Sequence, residues 1–336
     1  MSYKNLFLYI SIFILTGELM IRFDESFTLL EENRIVKIST DIELTPEYQL
    51  LKNDKFNVSE QDFRIMVIGD SYIHGGGIEF KNNFSQQLKK LVLSSDNLNY
   101  NNIWVLDVSK SSSNNLDNNK TFFQFAQTFK PNIVILGYNI NDIEGNLDKK
   151  VDSLSKIVDF KKKRTSSNQS ITITKRIYNF VHNSHFLQYT LHNIHKKLNT
   201  YGIIIPYSRF DNLMKSYKRN EENWRKSKIL LNEIIDNTNQ SGIQLIVYKL
   251  PQTNLLDYPQ LFSGANESIE LYFKNNKKII YLDGSEALVG EKSKEYILSK
   301  YDGHPNEKAH KKMAEHVFDT IIKHNITHSM NNKKKE

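Results

Sequence analysis

Five short apolar runs constrain this chain more than anything else in it. They are RIMVIGD (64–70), NIWVLDV (102–108), NIVILGYN (132–139), IQLIVYKL (243–250) and KKIIYLDG (277–284). Their apolar residues are successive rather than alternate, the pattern of strands buried on both faces of a parallel sheet. Helical periods lie between them. Phe84, Leu88, Leu91 and Val92 share one helical face, and LDNNKTFFQFAQTFK reads as a helix closed by Pro131. Trp224, Leu231, Ile234 and Ile235 lie on one side of a later helix, with Gly242 placed to end it. Met313, Val317, Phe318, Ile321 and Ile322 point inward from the last helix. Strand and helix in alternation predict a doubly wound α/β sheet.

The chain has 336 residues, enough for one large α/β domain or two small ones, and 39% of them are hydrophobic. It has no cysteine, which excludes thiol catalysis, disulfides and Cys-ligated zinc. Lys and Arg number 45 against 38 Asp and Glu, a mild basic excess of 7. The basic residues are scattered, so no nucleic-acid partner is expected. His182 with His185, and His192 with His195, are three apart, but no carboxylate is placed to complete a metal site. No P-loop and no G-x-G-x-x-G occurs, and no cofactor is expected.

Leu6–Phe23 is an 18-residue apolar stretch containing Glu18, near the lower limit of about 17–25 residues for a membrane span. No small-residue cleavage site follows it, so residues 1–23 read as an uncleaved signal anchor with the bulk of the chain outside the cytoplasm. Residues 24–62 are polar and irregular and read as a stalk or linker, or as a segment that wraps the domain. The alternation resumes over 63–325 and fails over 147–219, which reads as an insertion or lid. Residues 326–336 are a polar tail.

In a parallel sheet, ligands sit beyond the carboxyl ends of the strands. Ser71 follows the first strand directly, and its hydroxyl would face such a site. Read alone, Asp70 and Ser71 are simply helix caps. The HGGG stretch at 74–77 follows the serine, so its glycines are expected to let backbone approach a substrate closely. The second strand ends in VSKSSSNN. The third ends with Asn139 and Asn141, whose side-chain amides are able to donate to an oxyanion. Near the other end, Asp302 stands two residues before His304, just ahead of the last helix.

Gly69-Asp70-Ser71, the small-residue turn at 109–113, Asn141-Asp142 and Asp302/His304-Pro305-Asn306 fall in the order of the four sequence blocks of the SGNH (GDSL-type) hydrolases, and the chain resembles that family, its membrane-associated bacterial members in particular, over roughly residues 63–325. The resemblance implies a flavodoxin-like three-layer α/β/α fold and serine esterase chemistry. It implies Ser71 as nucleophile, His304 as general base and acid, and Asp302 as the group that orients the imidazole. The oxyanion donors would be the Ser71 N–H, the Ser112 N–H and the Asn141 side chain. Asp70 and Asp142 would be scaffold partners. Ser112 stands where the family has glycine, with Ser109 before it. The family's usual acid position, three before the histidine, is Tyr301. The expected activity is removal of a small acyl group, acetyl above all, from a small molecule or glycan. An O-acyltransferase using the same site and an inactive glycan-binding module on the same fold are the alternatives.

Overall fold

All five apolar runs form strands: β1 (Asp62–Gly69), β2 (Asn102–Asp107), β3 (Ile133–Tyr138), β4 (Gln244–Lys249) and β5 (Ile279–Asp283). In the computed structural model they make one parallel sheet in the order β2-β1-β3-β4-β5. The structure describes residues 41–144 and 213–324, apart from positions 44, 54, 55, 58, 97, 99, 219, 220, 300 and 301. The Leu6–Phe23 run, most of the 147–219 insertion, Tyr301 and the 326–336 tail lie outside those residues. Among the described residues no helix is long and apolar enough to cross a membrane.

Side chains alternate across the strands and sort the core into two layers. Phe63, Ile65 and Val67 of β1 pack with Phe84, Leu88 and Val92 of α3 (Phe84–Leu93) and with Met313, Val317 and Ile321 of α8 (Glu307–Lys323). Met66 and Ile68 are equally buried on the opposite face. There α4 (Asn115–Phe129), α5 (Glu222–Gln240) and α6 (Ser263–Lys274) cover β1, β4 and β5 respectively. The result is a three-layer α/β/α arrangement with the 2-1-3-4-5 strand order of a flavodoxin-like sheet.

Three shorter helices also lie among the described residues: α1 (Pro46–Lys52), α2 (Ser71–His74) and α7 (Ser293–Tyr296). The first lies within residues 24–62, at the end of that segment that the structure describes. Leu51 of α1 is buried, Glu47 is buried in an ion pair with Lys89 of α3 at 2.6 Å, and Tyr48 meets the Phe125 ring. Phe56, further along, packs against Trp104 and Phe129. Residues 46–56 therefore wrap the domain rather than space it from something else.

The strand order reverses between β1 and β3, whose carboxyl ends lie side by side with Gly69 opposite Gly137. A parallel sheet opens a crevice at such a switch point, because the two connecting segments leave toward opposite faces. Ser71 and Asn141 lie just beyond the two strands that flank it.

Candidate active site

The glycine pair at the switch point decides how Ser71 is presented. A Cβ on Gly137 would stand 2.2 Å from Cγ1 of Ile73, and one on Gly69 would stand 2.9 Å from the Gly137 carbonyl oxygen. Only glycine lets the one-turn helix α2 rest directly on the strand ends. Asp70 caps that helix, its carboxylate accepting from the Tyr72 N–H at 2.9 Å. Two glycines of the HGGG stretch have local structural roles. Gly75 ends α2 with φ 84, and Gly77 (φ 88) makes room for Leu298, whose Cδ1 would be 2.4 Å from a Cβ there.

The segments after β2 and β3 are bonded directly to residues 69–71, and the segment after β4 joins through one of them. The Lys110 N–H donates to the Gly69 carbonyl at 3.0 Å, which ties the loop after β2. The Asn139 side chain donates from Nδ2 to Asp70 Oδ2 at 2.9 Å, which ties the loop after β3. Its own Oδ1 accepts from Gln252 Nε2 at 2.8 Å, so the loop after β4 joins the same network. His304 closes the set, with Nε2 2.9 Å from Ser71 Oγ.

Asp302 and His304 sit at the tip of a small hairpin. Ile297 bridges Pro305, the Leu298 N–H donates to the His304 carbonyl at 3.0 Å, and the Asp302 N–H donates to Ser299 Oγ at 3.0 Å. Asn306 anchors the base of the hairpin. Its Nδ2 donates to the Glu295 and Ile297 carbonyls, while its Oδ1 caps α8 by accepting from the Ala309 N–H. Asp302 Oδ1 accepts from the backbone N–H of His304 at 2.9 Å and lies 2.6 Å from its Nδ1. A carboxylate accepts only, so Nδ1 carries the proton and the Nε2 lone pair faces the Ser71 hydroxyl. Ser71, His304 and Asp302 thus form one hydrogen-bonded chain from two distant parts of the sequence.

Ser112 lies in the tight turn that the Ser113 N–H closes on the Lys110 carbonyl at 3.2 Å, and its φ is +62. The serine at the position where the resemblance expects glycine thus adopts a backbone that glycine adopts freely. Asn141 lies in the 3₁₀ turn Ile140–Ile143, half-buried, with Oδ1 enclosed and without a hydrogen-bond partner. Asp70 and Asp142 are both buried carboxylates engaged with backbone and with Asn139, in the manner of scaffold groups. Burial pushes the Asp70 carboxyl up to about 6. Burial, reinforced by the charge of Asp70, pushes Asp142 well above the usual carboxylate range.

Several residues of the site left no signal in the sequence. Tyr217 is buried, and its hydroxyl donates to the Ile140 carbonyl at 2.6 Å and lies 3.0 Å from the Tyr138 hydroxyl, fixing the turn that carries Asn141. Tyr72 sets its ring against His304, with centroids 5.0 Å apart. Thr253 Oγ1 donates to the Gly303 carbonyl at 2.7 Å. Beneath α2, His74 is buried and donates from Nδ1 to the Ser109 carbonyl at 3.1 Å. Ser109 donates twice to Asp107 Oδ1, from its N–H and its hydroxyl. His310, fully buried at the start of α8, is driven down to about 3 by burial and by the nearby His304 and His74.

Beside this site, beyond β4 and β5, is a cavity of about 240 Å³. Ile140, Leu250, Leu255, Phe262 and Leu288 supply its apolar walls, and Gln252 borders it. Among the described residues no group of three or more His, Asp or Glu is arranged to hold a metal ion.

No family model matches the sequence, and no curated protein matches it. Solved structures do resemble it. The crystal structure of TesA superposes with a TM-score of 0.44 at 12% identity, covering 77% of this chain and 97% of the other. The psychrotrophic esterase EstA from Pseudoalteromonas sp. gives 0.41 at 11% identity, over 77% and 97%. A GDSL-like lipase from Bacteroides thetaiotaomicron VPI-5482 gives 0.41 at 12% identity, over 83% and 98%.

Proposed function

We propose that the chain is a serine esterase that removes a small acyl group, acetyl above all, from an oxygen ester carried by a carbohydrate. The observation that supports this most is the unbroken chain Ser71 Oγ, His304 Nε2, His304 Nδ1, Asp302 Oδ1, with links of 2.9 and 2.6 Å. As Ser71 Oγ attacks the ester carbonyl, its proton passes to Nε2, and the Asp302 carboxylate offsets the charge that appears on the imidazolium. The tetrahedral oxyanion is held by the N–H groups of Ser71 and Ser112 and the amide of Asn141. His304 then returns the proton to the leaving alkoxide, which departs as the alcohol. Water attacks the acyl-Ser71 ester by the same steps reversed, with His304 again taking and returning the proton, and releases the carboxylic acid. A sugar hydroxyl in place of that water turns the same cycle into acyl transfer.

A second reading, in which the acyl chain is longer, is favoured by the apolar cavity next to Ile140 and Gln252. The location we propose is a membrane surface, supported by the Leu6–Phe23 run. Alkaline carbonate extraction tests the location, and release into the supernatant would overturn it.

The chemistry is tested with the full-length protein in detergent. Wild type should hydrolyse p-nitrophenyl acetate and take up a fluorophosphonate on Ser71, and Ser71→Ala should lower hydrolysis by about 10³-fold or more. Equal rates for the two proteins would remove the esterase reading. Turnover that appears only with an added glycan acceptor selects the transferase. A rise in kcat/KM from two-carbon to eight-carbon esters selects the longer chain.

A further inference from the structure

Gly303, the residue between Asp302 and His304, is held by two residues far from it in the sequence. Its carbonyl accepts from Thr253 Oγ1 at 2.7 Å, and the Tyr72 hydroxyl approaches the same oxygen at 3.5 Å. Thr253 is fully buried in the loop after β4, and Tyr72 is the residue directly after the nucleophile, so the two holds come from two different elements that meet at one carbonyl oxygen. There is no slack at Gly303 itself: a Cβ there would stand 2.6 Å from Cβ of Asn254. The Tyr72 ring also lies against the imidazole, with centroids 5.0 Å apart and planes at 49°.

This arrangement meets a specific need. The His304 side chain is 37% exposed and the Asp302 side chain 23%, so packing from above does little to fix the ring. The Ser71–His304 contact spans 233 positions in the sequence, and nothing local to the hairpin sets its distance from α2. Proton transfer depends on that distance: displacing a reacting group by about 1 Å can cost on the order of 10²-fold in rate. A tyrosine adjacent to the nucleophile and in contact with the base couples the two directly, because α2 carries both Ser71 and the ring that limits His304.

We infer that Tyr72 and Thr253 are positioning residues that lock the Asp302-Gly303-His304 segment onto the nucleophile helix and the β4 loop. This rests on the esterase reading for its kinetic consequences but not for its structural one. The hydroxyl of Thr253 makes the short bond, and the ring of Tyr72 makes the contact with the imidazole; the 3.5 Å hydroxyl contact of Tyr72 is the weakest of the three.

The test uses full-length Tyr72→Leu, Tyr72→Phe and Thr253→Val, each checked for an unchanged circular dichroism spectrum. On p-nitrophenyl acetate, Tyr72→Leu is expected to lower kcat about 30-fold and Thr253→Val about 10-fold, with KM held within about 3-fold, and Tyr72→Phe to stay within about 3-fold of wild type. The second readout does not depend on turnover. The His304 Nδ1–H proton, bonded to Asp302 at 2.6 Å, should give a far-downfield NMR resonance, identified by its loss in His304→Gln. That resonance should persist in Tyr72→Phe and exchange away in Tyr72→Leu and Thr253→Val. If Tyr72→Leu and Thr253→Val both fold and both retain the resonance, the clamp is overturned, whatever their kinetics. If Tyr72→Leu fails to fold, Thr253→Val alone decides by the same criterion. Should Ser71→Ala hydrolyse as fast as wild type, the esterase reading falls while the resonance still judges the clamp.

Discussion

Asp302 grips His304 twice with one oxygen: Oδ1 accepts from the backbone N–H at 2.9 Å and lies 2.6 Å from Nδ1 of the ring. That double hold explains how an acid only two residues before the histidine reaches the imidazole. The side chain of Asp302 folds forward over Gly303, as in an Asx turn, and meets the His304 amide and ring together. The spacing of two is thereby built into a local turn and needs no acid from elsewhere.

Asp302→Asn tests this relationship. An amide at that position donates to Nδ1, which places the ring proton on Nε2 and leaves no lone pair for Ser71. The expected fall in kcat is about 10²–10⁴-fold with an unchanged melting curve, whereas Tyr301→Phe is expected to cost less than about 10-fold. Near wild-type kcat in a folded Asp302→Asn would leave Ser71 and His304 as a dyad.

Ser112 carries a backbone cost that glycine would not. An L-residue at φ +62 is disfavoured by roughly 1–2 kcal/mol, and part of the relief on mutation is offset by the greater freedom of glycine in the unfolded chain. Ser112→Gly is therefore expected to raise unfolding free energy by about 0.5–1 kcal/mol with activity retained, since the N–H remains, and Ser112→Val to lower it by more than about 1 kcal/mol. Urea titration of the three proteins at one pH checks the order. Equal stability for glycine and valine would show that this backbone is not strained.

The strand tips were legible because strands buried on both faces leave continuous apolar runs, and a parallel sheet puts its chemistry where those runs stop. Ser71 and Asn141 could be named on that basis, and His304 from the acid two residues before it at the entry to the last helix. Tyr217, Thr253 and Gln252 could not: their contacts with Ile140, Gly303 and Asn139 span 77, 50 and 113 positions, and an isolated Tyr, Thr or Gln has no periodicity to mark it. The packing of α1 escaped for a related reason. Seven residues give barely two turns, too few for a 3.6-residue period to stand out, and its contacts include an ion pair, Glu47 to Lys89, the buried Leu51 and the Tyr48–Phe125 ring pair.

Tyr217→Phe removes one hydroxyl that joins two others. Without it the Ile140 carbonyl loses its donor and the Tyr138 hydroxyl its neighbour, both in buried surroundings. The expected loss is about 1–3 kcal/mol of unfolding free energy, the cost of unsatisfied buried polar groups. Because Ile140 precedes Asn141, kcat should fall as well, by about 3–10-fold, if the Asn141 amide serves the oxyanion. A stability loss with unchanged kcat would detach Asn141 from the reaction.

His310 gives the fold a defined sensitivity to acid. The ring is fully buried at the start of α8, and both His304 and His74 add to the burial that pushes its value down to about 3, against an ordinary 6.5. The unfolded chain therefore takes up a proton below pH 6.5 that the folded one refuses until about pH 3. Stability linked to His310 is fully present above 6.5 and drains away as the pH falls through that window, at a rate approaching about 1.4 kcal/mol per pH unit. Asp70 works in the opposite sense. Its folded value of about 6 lies above the ordinary 3.8, so its contribution is greatest at low pH and is lost as the pH rises through 6. Between about 4 and 6 the two partly cancel, and wild type is expected to show a shallow slope there. His310→Leu removes the histidine's contribution and keeps those of Asp70 and Asp142. In urea titrations at pH 4.5, 5.5 and 7.5, the variant should gain stability relative to wild type as the pH falls, by about 1 kcal/mol per unit below 6.5. A constant difference across the three values would mean that His310 takes up its proton equally well folded and unfolded, and that the acid response of this domain is set elsewhere.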